Sequence, residues 1–542
     1  MESTADSSEK WAQTTVWPRD KVVDHILAGD SIVIYRNYVL RITPNWLNVH
    51  PGGALAIMHH VGRDATDEID AFHADHTLER VKGFIVGRVE TGEDGWSPLV
   101  PPVASGWVRS RSNTGERWTR FATRKGVRFF SEHNRAASEI LLVPKEAYPS
   151  GLVEPSISTI TPPPSTLSLS AQARHARAYR DLHARVTAAG LYKTPYLTGY
   201  GPEFLRYFVL GAVTYNLYIR GWIILSAFFL GLFWHQVTFA AHDLGHMGVT
   251  HNWVWDRIMG IAIANFIGGL SIGWWVDSHN IHHLVPNHPT HDPDIQHIPF
   301  FAISPVFFNS LYSSYYDRVM TFDKASRFFL SMQHKLYYFI MSLARFNLYA
   351  NSYVSLWKRG IVQGKRGWPW WSEIVGVTIY WTWYIQLVRG CGDWKRSLGF
   401  ILVSHMTASP LHVQIVLSHF SRSTADLGPS ESFVARQLRT TSDVICDPSI
   451  EFIHGGLHLQ VTHHLFPRLP RHNLRAASLL VKEFAKEQGL EYTEFRFVEG
   501  NKEVLGVLRG VAEQVKILGM VADHEIKEKV GMRVPIEGKG TK

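Results

Sequence analysis

Two pairs of long apolar runs constrain this chain more than anything else in it. Residues 204–218 and 221–240 form one pair, separated by Arg220, and residues 372–388 and 398–416 form the other. A helix needs roughly 20 apolar residues to cross a bilayer, so each pair reads as a helical hairpin. Charged residues make up 19% of the chain, against roughly 25% in an ordinary soluble protein. The net charge of +8 fits a nucleic-acid partner or an anionic membrane surface. No nucleic-acid motif accompanies it, so the membrane is expected and nucleic acid is not. The first thirty residues hold no signal-peptide apolar core, which leaves insertion to the internal spans. Two further segments are weaker. Residues 257–276, apolar and Gly-rich, read as a short buried helix or a re-entrant segment, and 335–357 read as interfacial.

The apolar runs deliver the chain into histidines. The first cluster is His242-Asp243-Leu244-Gly245-His246, the second His279-Asn280-Ile281-His282-His283, and the third Gln460-Val461-Thr462-His463-His464. Spacings of three and four place these side chains on one helix face. Two spans separate the second cluster from the third, so both lie on one side of the membrane. The first, at the end of the second span, returns to the side of the N-terminus. With 29 His and two widely separated cysteines, Cys391 and Cys446, a metal centre here is nitrogen-ligated. Seven imidazoles exceed the four ligands of one zinc ion and suit two ions. Imidazole alone does not choose among zinc, copper, iron and nickel. A zinc-peptidase helix would read H-E-x-x-H, with Glu as the base; Asp243 holds that position here. His419, closing the last span, is the best further ligand, with His454 and His288 lesser candidates. Trp274 and Trp275 either line a substrate tunnel or anchor the membrane interface.

A different histidine pattern lies near the N-terminus. Val49-His50-Pro51-Gly52-Gly53 fixes a tight turn that holds an imidazole outward. Phe72-His73 follows, with His76 beyond it and His59 and His60 as weaker candidates. Two histidines on opposite walls of an apolar pocket are what six-coordinate haem iron requires. A one-electron donor joined to a histidine-rich site favours a redox metal over zinc, and so a di-iron centre that activates O2. Beyond this region, residues 91–170 read as a basic linker containing Arg109, Arg111, Arg117, Arg120, Arg124, Lys125 and Arg128. It ends in the stiff Thr161-Pro162-Pro163-Pro164-Ser165. Such a basic segment is attracted to lipid headgroups.

V-H-P-G-G, G-R-D-A-T-D at 62–67, A-F-H at 71–73 and G-F-I-V-G at 83–87 resemble a cytochrome b5 domain. That resemblance implies haem b with His50 and His73 as axial ligands. H-D-L-G-H, H-N-I-H-H and Q-V-T-H-H behind such a domain resemble the front-end desaturases. The Ser/Pro linker, Thr462 and L-S-H-F-S-R-S-T-A-D-L-G resemble the fungal sphingolipid Δ8-desaturases among them. Thr462 departs from the usual Q-I-E-H-H, which weakens inference from acyl Δ5 or Δ6 relatives.

The resemblance implies two ferrous ions held by His242, His246, His279, His282, His283, His463 and His464, with His419 and Gln460 as additional ligands. It implies O2 as co-substrate, a ceramide-type lipid, and electrons from an NADH-cytochrome b5 reductase. Hydrogen leaves two adjacent methylenes, giving a double bond and two waters. A fatty-acyl front-end desaturase or a lipid hydroxylase fits the same motifs, and a membrane zinc metallopeptidase is the reading from another class. The expected architecture is multidomain. A small α+β haem domain (16–90) and the linker (91–170) precede an all-α membrane domain (171–495) and a C-terminal helical tail (496–542). About four transmembrane helices, interfacial helices and a cytosolic helical cap are expected, in the endoplasmic reticulum membrane.

Overall fold

A computed structural model describes residues 15–112, 115–120 and 155–531. The N-terminal part is α+β. Its sheet comprises β1 (Val16–Trp17), β2 (Ser31–Tyr35), β3 (Tyr38–Ile42) and β4 (Ile85–Val89), in the order β1-β4-β3-β2. β2 and β3 pair from Ser31↔Ile42 to Tyr35↔Tyr38 around a two-residue turn. Arg36 and Asn37 both have positive φ, 50° and 66°, the backbone that a tight hairpin with right-twisted strands demands. β2 is buried on both faces, by Val22 and Ile26 of the helix Arg19–Leu27 on one side and by Leu47 and Met58 on the other.

Much of the segment read from sequence as a linker packs into this same unit. Trp96, Leu99 and Ile160 join the core around Ile26 and Ile34, and Val103, Trp107 and Trp118 join the one around Tyr35 and Leu40. Trp107 and Trp118 lie on a hairpin, Trp107–Ser112 with Gly115–Arg120. The Trp118 indole donates to the Ile26 carbonyl at 2.8 Å. Large apolar side chains, not the basic residues between them, set the structure here. Arg124, Lys125 and Arg128 lie outside the described residues.

The rest is mostly helical. Helices occupy both expected hairpins: Gly201–Ile219 with Ile223–Gly245, and Trp368–Arg389 with Trp394–Thr407 and Pro410–Phe420. Among the described residues, two stretches are long and apolar enough to cross a membrane, Ile223–Gly245 and Trp394–Phe420. Gly201–Ile219 carries Glu203 and Arg206, and Trp368–Arg389 is dominated by Trp and Tyr. Phe204, Phe208, Ile224, Trp371 and Ile379 point outward from these helices, as lipid-facing side chains do.

The segment at 257–276 is a broken helix. Trp253–Ile267 and Ile272–Leu284 meet at 113°, and the bend decides where the second histidine cluster points. Gly269 makes it, with φ of +71° and a position where a Cβ would run into the Tyr380 ring. Buried Glu373 accepts from Ser271 Oγ and, at 3.3 Å, from the Gly273 amide, and Arg359 pairs with it at 3.3 Å. The second arm therefore starts at a pinned N-terminus and runs back toward the first cluster.

The C-terminal segment expected as a tail is integral to the core. The helix Phe497–Gly531 buries Val504, Leu508, Val511 and Val515 against Phe301, Leu330, Tyr337 and Phe420.

Candidate metal centre

The three sequence clusters converge. His242 and His246 stand at the end of the helix Ile223–Gly245, His279, His282 and His283 on Ile272–Leu284, and His463 and His464 on the short helix Gln460–Leu465. The last is aimed by buried Asp443, whose Oδ1 accepts from the Val461 amide at 2.8 Å. Burial raises the Asp443 carboxyl to about 7. The turn before it needs Gly455, with φ of +55° and a position where a Cβ would collide with the Phe239 ring.

The histidines form two groups of nitrogen donors. His242, His246, His279 and His463 make one, and His282, His419 and His464 the other; within each group the donor atoms lie within 4.8 Å of one another. His283 lies between the groups. Its Nε2 faces Nε2 of His279 at 3.1 Å, and its ring stacks on His464 at 4.0 Å. His419 arrives from the end of Pro410–Phe420, with Nε2 3.3 Å from Nε2 of His282.

These side chains fit a metal better than they fit one another. Nε2 of His246, His463 and His464 and Nδ1 of His242 and His283 are buried without a hydrogen-bond partner. Each such group costs about 1–3 kcal/mol, a cost that an ion between them removes. Burial and the neighbouring imidazoles hold His463 and His464 far below the usual histidine range, and hence neutral as ligands must be.

A second layer of polar groups, invisible in the sequence patterns, turns the rings. Nδ1 of His282 donates to Asp292 at 2.9 Å, and Nδ1 of His279 to Asp294 at 3.2 Å. Nδ1 of His464 donates to the Gln437 side-chain oxygen at 3.0 Å, and the Gln437 amide donates to the His283 carbonyl at 2.8 Å. Asn287 holds the His419 carbonyl at 2.8 Å. For His279, His282 and His464, fixing Nδ1 leaves Nε2 free to face a ligand. Asp292 and Asp294 sit in His291-Asp292-Pro293-Asp294, on the loop that follows the second cluster, and that nearness is the one sequence signal that points to them.

Other candidates fall elsewhere. Gln460 is buried, and its amide donates to the Leu457 carbonyl at 3.0 Å. His454 bonds Gln414 at 2.6 Å, and His288 stands 3.4 Å from Asp426; neither belongs to a donor group. Trp274 is buried, while Trp275 stacks on His279 at 4.4 Å and packs so closely on Gly245 that a Cβ there would clash with the indole. Trp275 thus walls the histidine centre and is no interfacial anchor. Asp243, the base that a metallopeptidase would require, is engaged instead. Its Oδ2 accepts from Arg471 and from the Tyr200 hydroxyl, each at 2.6 Å, and Arg471 also pairs with Glu203.

In the N-terminal unit, His50 and His73 face each other with ring centroids 6.1 Å apart. Nδ1 of His50 donates to the Gly53 carbonyl at 3.1 Å, and Nδ1 of His73 to the Ile69 carbonyl at 2.9 Å. Both Nε2 atoms are left for a ligand between them. Burial lowers both His50 and His73, the latter to about 4, which favours the neutral imidazole that a ligand position needs. Trp46, Leu55, Leu78, Val81 and Phe84 around them are only half-buried, an apolar crevice of the kind a porphyrin fills. His76 is exposed on the next helix. His59 and His60 point away from the crevice. His59 packs on His291, centroids 4.7 Å apart, and His60 stands 3.3 Å from Glu68. Burial pushes the Glu68 carboxyl up, but His60 and Arg63 outweigh it and bring it down to about 2. The unit rests against the helical part through an ion pair of Asp67 with Arg180 at 2.7 Å.

The chain belongs to the fatty acid desaturases that carry an N-terminal cytochrome b5-like domain. The fatty acid desaturase model matches residues 220–496, and that of the cytochrome b5-like heme/steroid binding domain matches residues 18–90. These domains imply a haem and an iron centre. Among curated relatives, the Delta 8-(E)-sphingolipid desaturase of Emericella nidulans is 42% identical, over 92% of this chain and 95% of that protein. Those of Kluyveromyces lactis and Komagataella phaffii are 40% and 42% identical, each over 92% of this chain, and over 93% and 94% of the relatives.

Proposed function

We propose that the protein introduces the Δ8 double bond into the long-chain base of a ceramide-type sphingolipid. The observation that carries the reaction class is the convergence of eight histidines from three sequence clusters and one span end, directly against a haem-type domain. In this reading His242, His246, His279 and His463 hold one iron ion and His282, His419 and His464 the other, with His283 between them. Gln460 orients its own loop. His50 and His73 hold the haem, and an NADH-dependent cytochrome b5 reductase reduces it.

The iron pair supplies the activation of O2 that removes two hydrogens from adjacent methylenes. The protein does the rest. Asp292, Asp294 and Gln437 keep ring nitrogens directed inward. Trp275 excludes water from one wall, which strengthens every electrostatic interaction inside. Arg471 ties the end of the first cluster's helix to the segment after the third. The helices Ile223–Gly245 and Trp394–Phe420 span the membrane, and Gly201–Ile219 and Trp368–Arg389 complete two hairpins. Haem and iron then share the cytosolic side of the endoplasmic reticulum membrane. The haem domain covers residues 16–90 with the packed part of 91–170. The membrane domain covers 171–495, and its C-terminal helix follows.

Similarity to three Δ8-(E)-sphingolipid desaturases over most of their length supports the substrate. The test is expression in a host lacking the activity, followed by mass spectrometry of long-chain bases and fatty acids. Δ8-unsaturated long-chain bases are expected. New double bonds confined to fatty acids, or a hydroxylated product, would refute the substrate or the reaction.

A further inference from the structure

Two segments of the haem-type domain press on the helix of the second histidine cluster: the turn after His50, and the end of the helix Thr66–Phe72 just before His73. Gly52, two residues after His50, lies so near that a Cβ on it would stand 3.3 Å from the Asn280 side chain. Phe72, next to His73, sets its ring edge-on to the His283 imidazole, with centroids 6.1 Å apart and planes at 84°. Arg468, four residues after His464, donates to the His73 carbonyl and clamps the end of this helix to the third cluster. His283 touches both groups: its ring lies 4.6 Å from His246, 4.7 Å from His463 and 4.0 Å from His464.

We propose that Phe72 couples the haem to the metal centre, electrons leaving through His73, crossing the Phe72 ring and entering at His283. This rests on the haem and iron assignments above. Electron transfer weakens steeply with distance, and more steeply across empty space than through packed atoms. Here one peptide unit joins His73 to Phe72, and an aromatic contact spans the remainder. Phe72 carries no donor, acceptor or titratable group, so contact is what it contributes. Each transfer moves one electron: ferrous haem becomes ferric, and one ferric ion among the histidines becomes ferrous. No proton moves and no bond to Phe72 forms. Two transfers supply the two electrons that O2 requires beyond those taken from the lipid. Phe72 is thus a positioning residue, and the Arg468 clamp holds it in place.

The test uses purified full-length holoprotein, wild type and Phe72→Leu, Phe72→Met and Phe72→Tyr. Haem content, non-haem iron and haem midpoint potential are measured first; equal values in all four proteins are expected. Each ferric protein then receives one electron per haem from a photoreduced flavin without O2. Decay of the ferrous-haem absorbance reports transfer to the iron centre. Phe72→Tyr should match wild type, while the Leu and Met variants should decay more slowly. Loaded Leu or Met protein that transfers at the wild-type rate would overturn the coupling role. Wild-type protein lacking haem or non-haem iron would overturn the assignments beneath it, and the coupling with them.

Discussion

Asp292 is fully buried, and its carboxylate accepts three N–H groups. Oδ2 takes Nδ1 of His282 at 2.9 Å and the Asn287 amide at 2.7 Å, and Oδ1 takes the Asp294 amide at 2.8 Å. Asp292→Asn replaces one oxygen with an NH2 group, which meets an N–H whichever way the side chain turns. In one orientation the Asp294 amide loses its acceptor; in the other, both His282 and Asn287 do. A buried donor without an acceptor costs about 1–3 kcal/mol. Loss of the group that orients a metal-binding histidine typically weakens metal affinity by about 10–100-fold, or about 1.4–2.8 kcal/mol. The two figures agree. The assay is anaerobic titration of the purified protein with a ferrous chelator. The midpoint should fall by about 10–100-fold, first for the ion held by the group containing His282, while the haem absorbance stays unchanged. A midpoint equal to wild type would refute the assigned role of Asp292.

Arg471→Met leaves the Asp243 and Glu203 carboxylates buried without their shared guanidinium, a change worth about 3–5 kcal/mol. The thermal midpoint in detergent should drop, and Glu203→Gln with Asp243→Asn should restore part of it. Gly269→Ala places a Cβ against Tyr380 at a φ of +71°. Backbone strain of about 1–2 kcal/mol adds to overpacking of about 1–3 kcal/mol. Lower thermal stability and lost iron should appear together, since the bend aims the second cluster. His50→Ala should abolish the haem absorbance and leave the non-haem iron in place, as metal analysis would verify.

The donor groups are legible in the sequence because helical spacing forces side chains three and four apart onto one face. Each cluster announces itself, and His419 stands out as the lone histidine closing a span. The residues that turn the rings are not legible. Asp292, Asp294 and Gln437 are ordinary polar residues until the chain brings His282, His279 and His464 beside them. The break at 268–271 is visible only as an apolar Gly-rich stretch, because a glycine bend and a continuous helix share that composition. The packed part of 91–170 is hidden for another reason. Its arginines, serines and prolines read as a polar linker, while three tryptophans, Trp96, Trp107 and Trp118, decide the packing. Asp243 looks like a displaced catalytic base because its partner, Arg471, lies 228 residues away.

The most direct test of the central claim is the metal and haem content of the purified wild-type protein. Two non-haem iron ions per haem, with no zinc, are expected from the two donor groups. Zinc in those sites, or a single iron ion per haem, would contradict a paired iron centre built from these histidines.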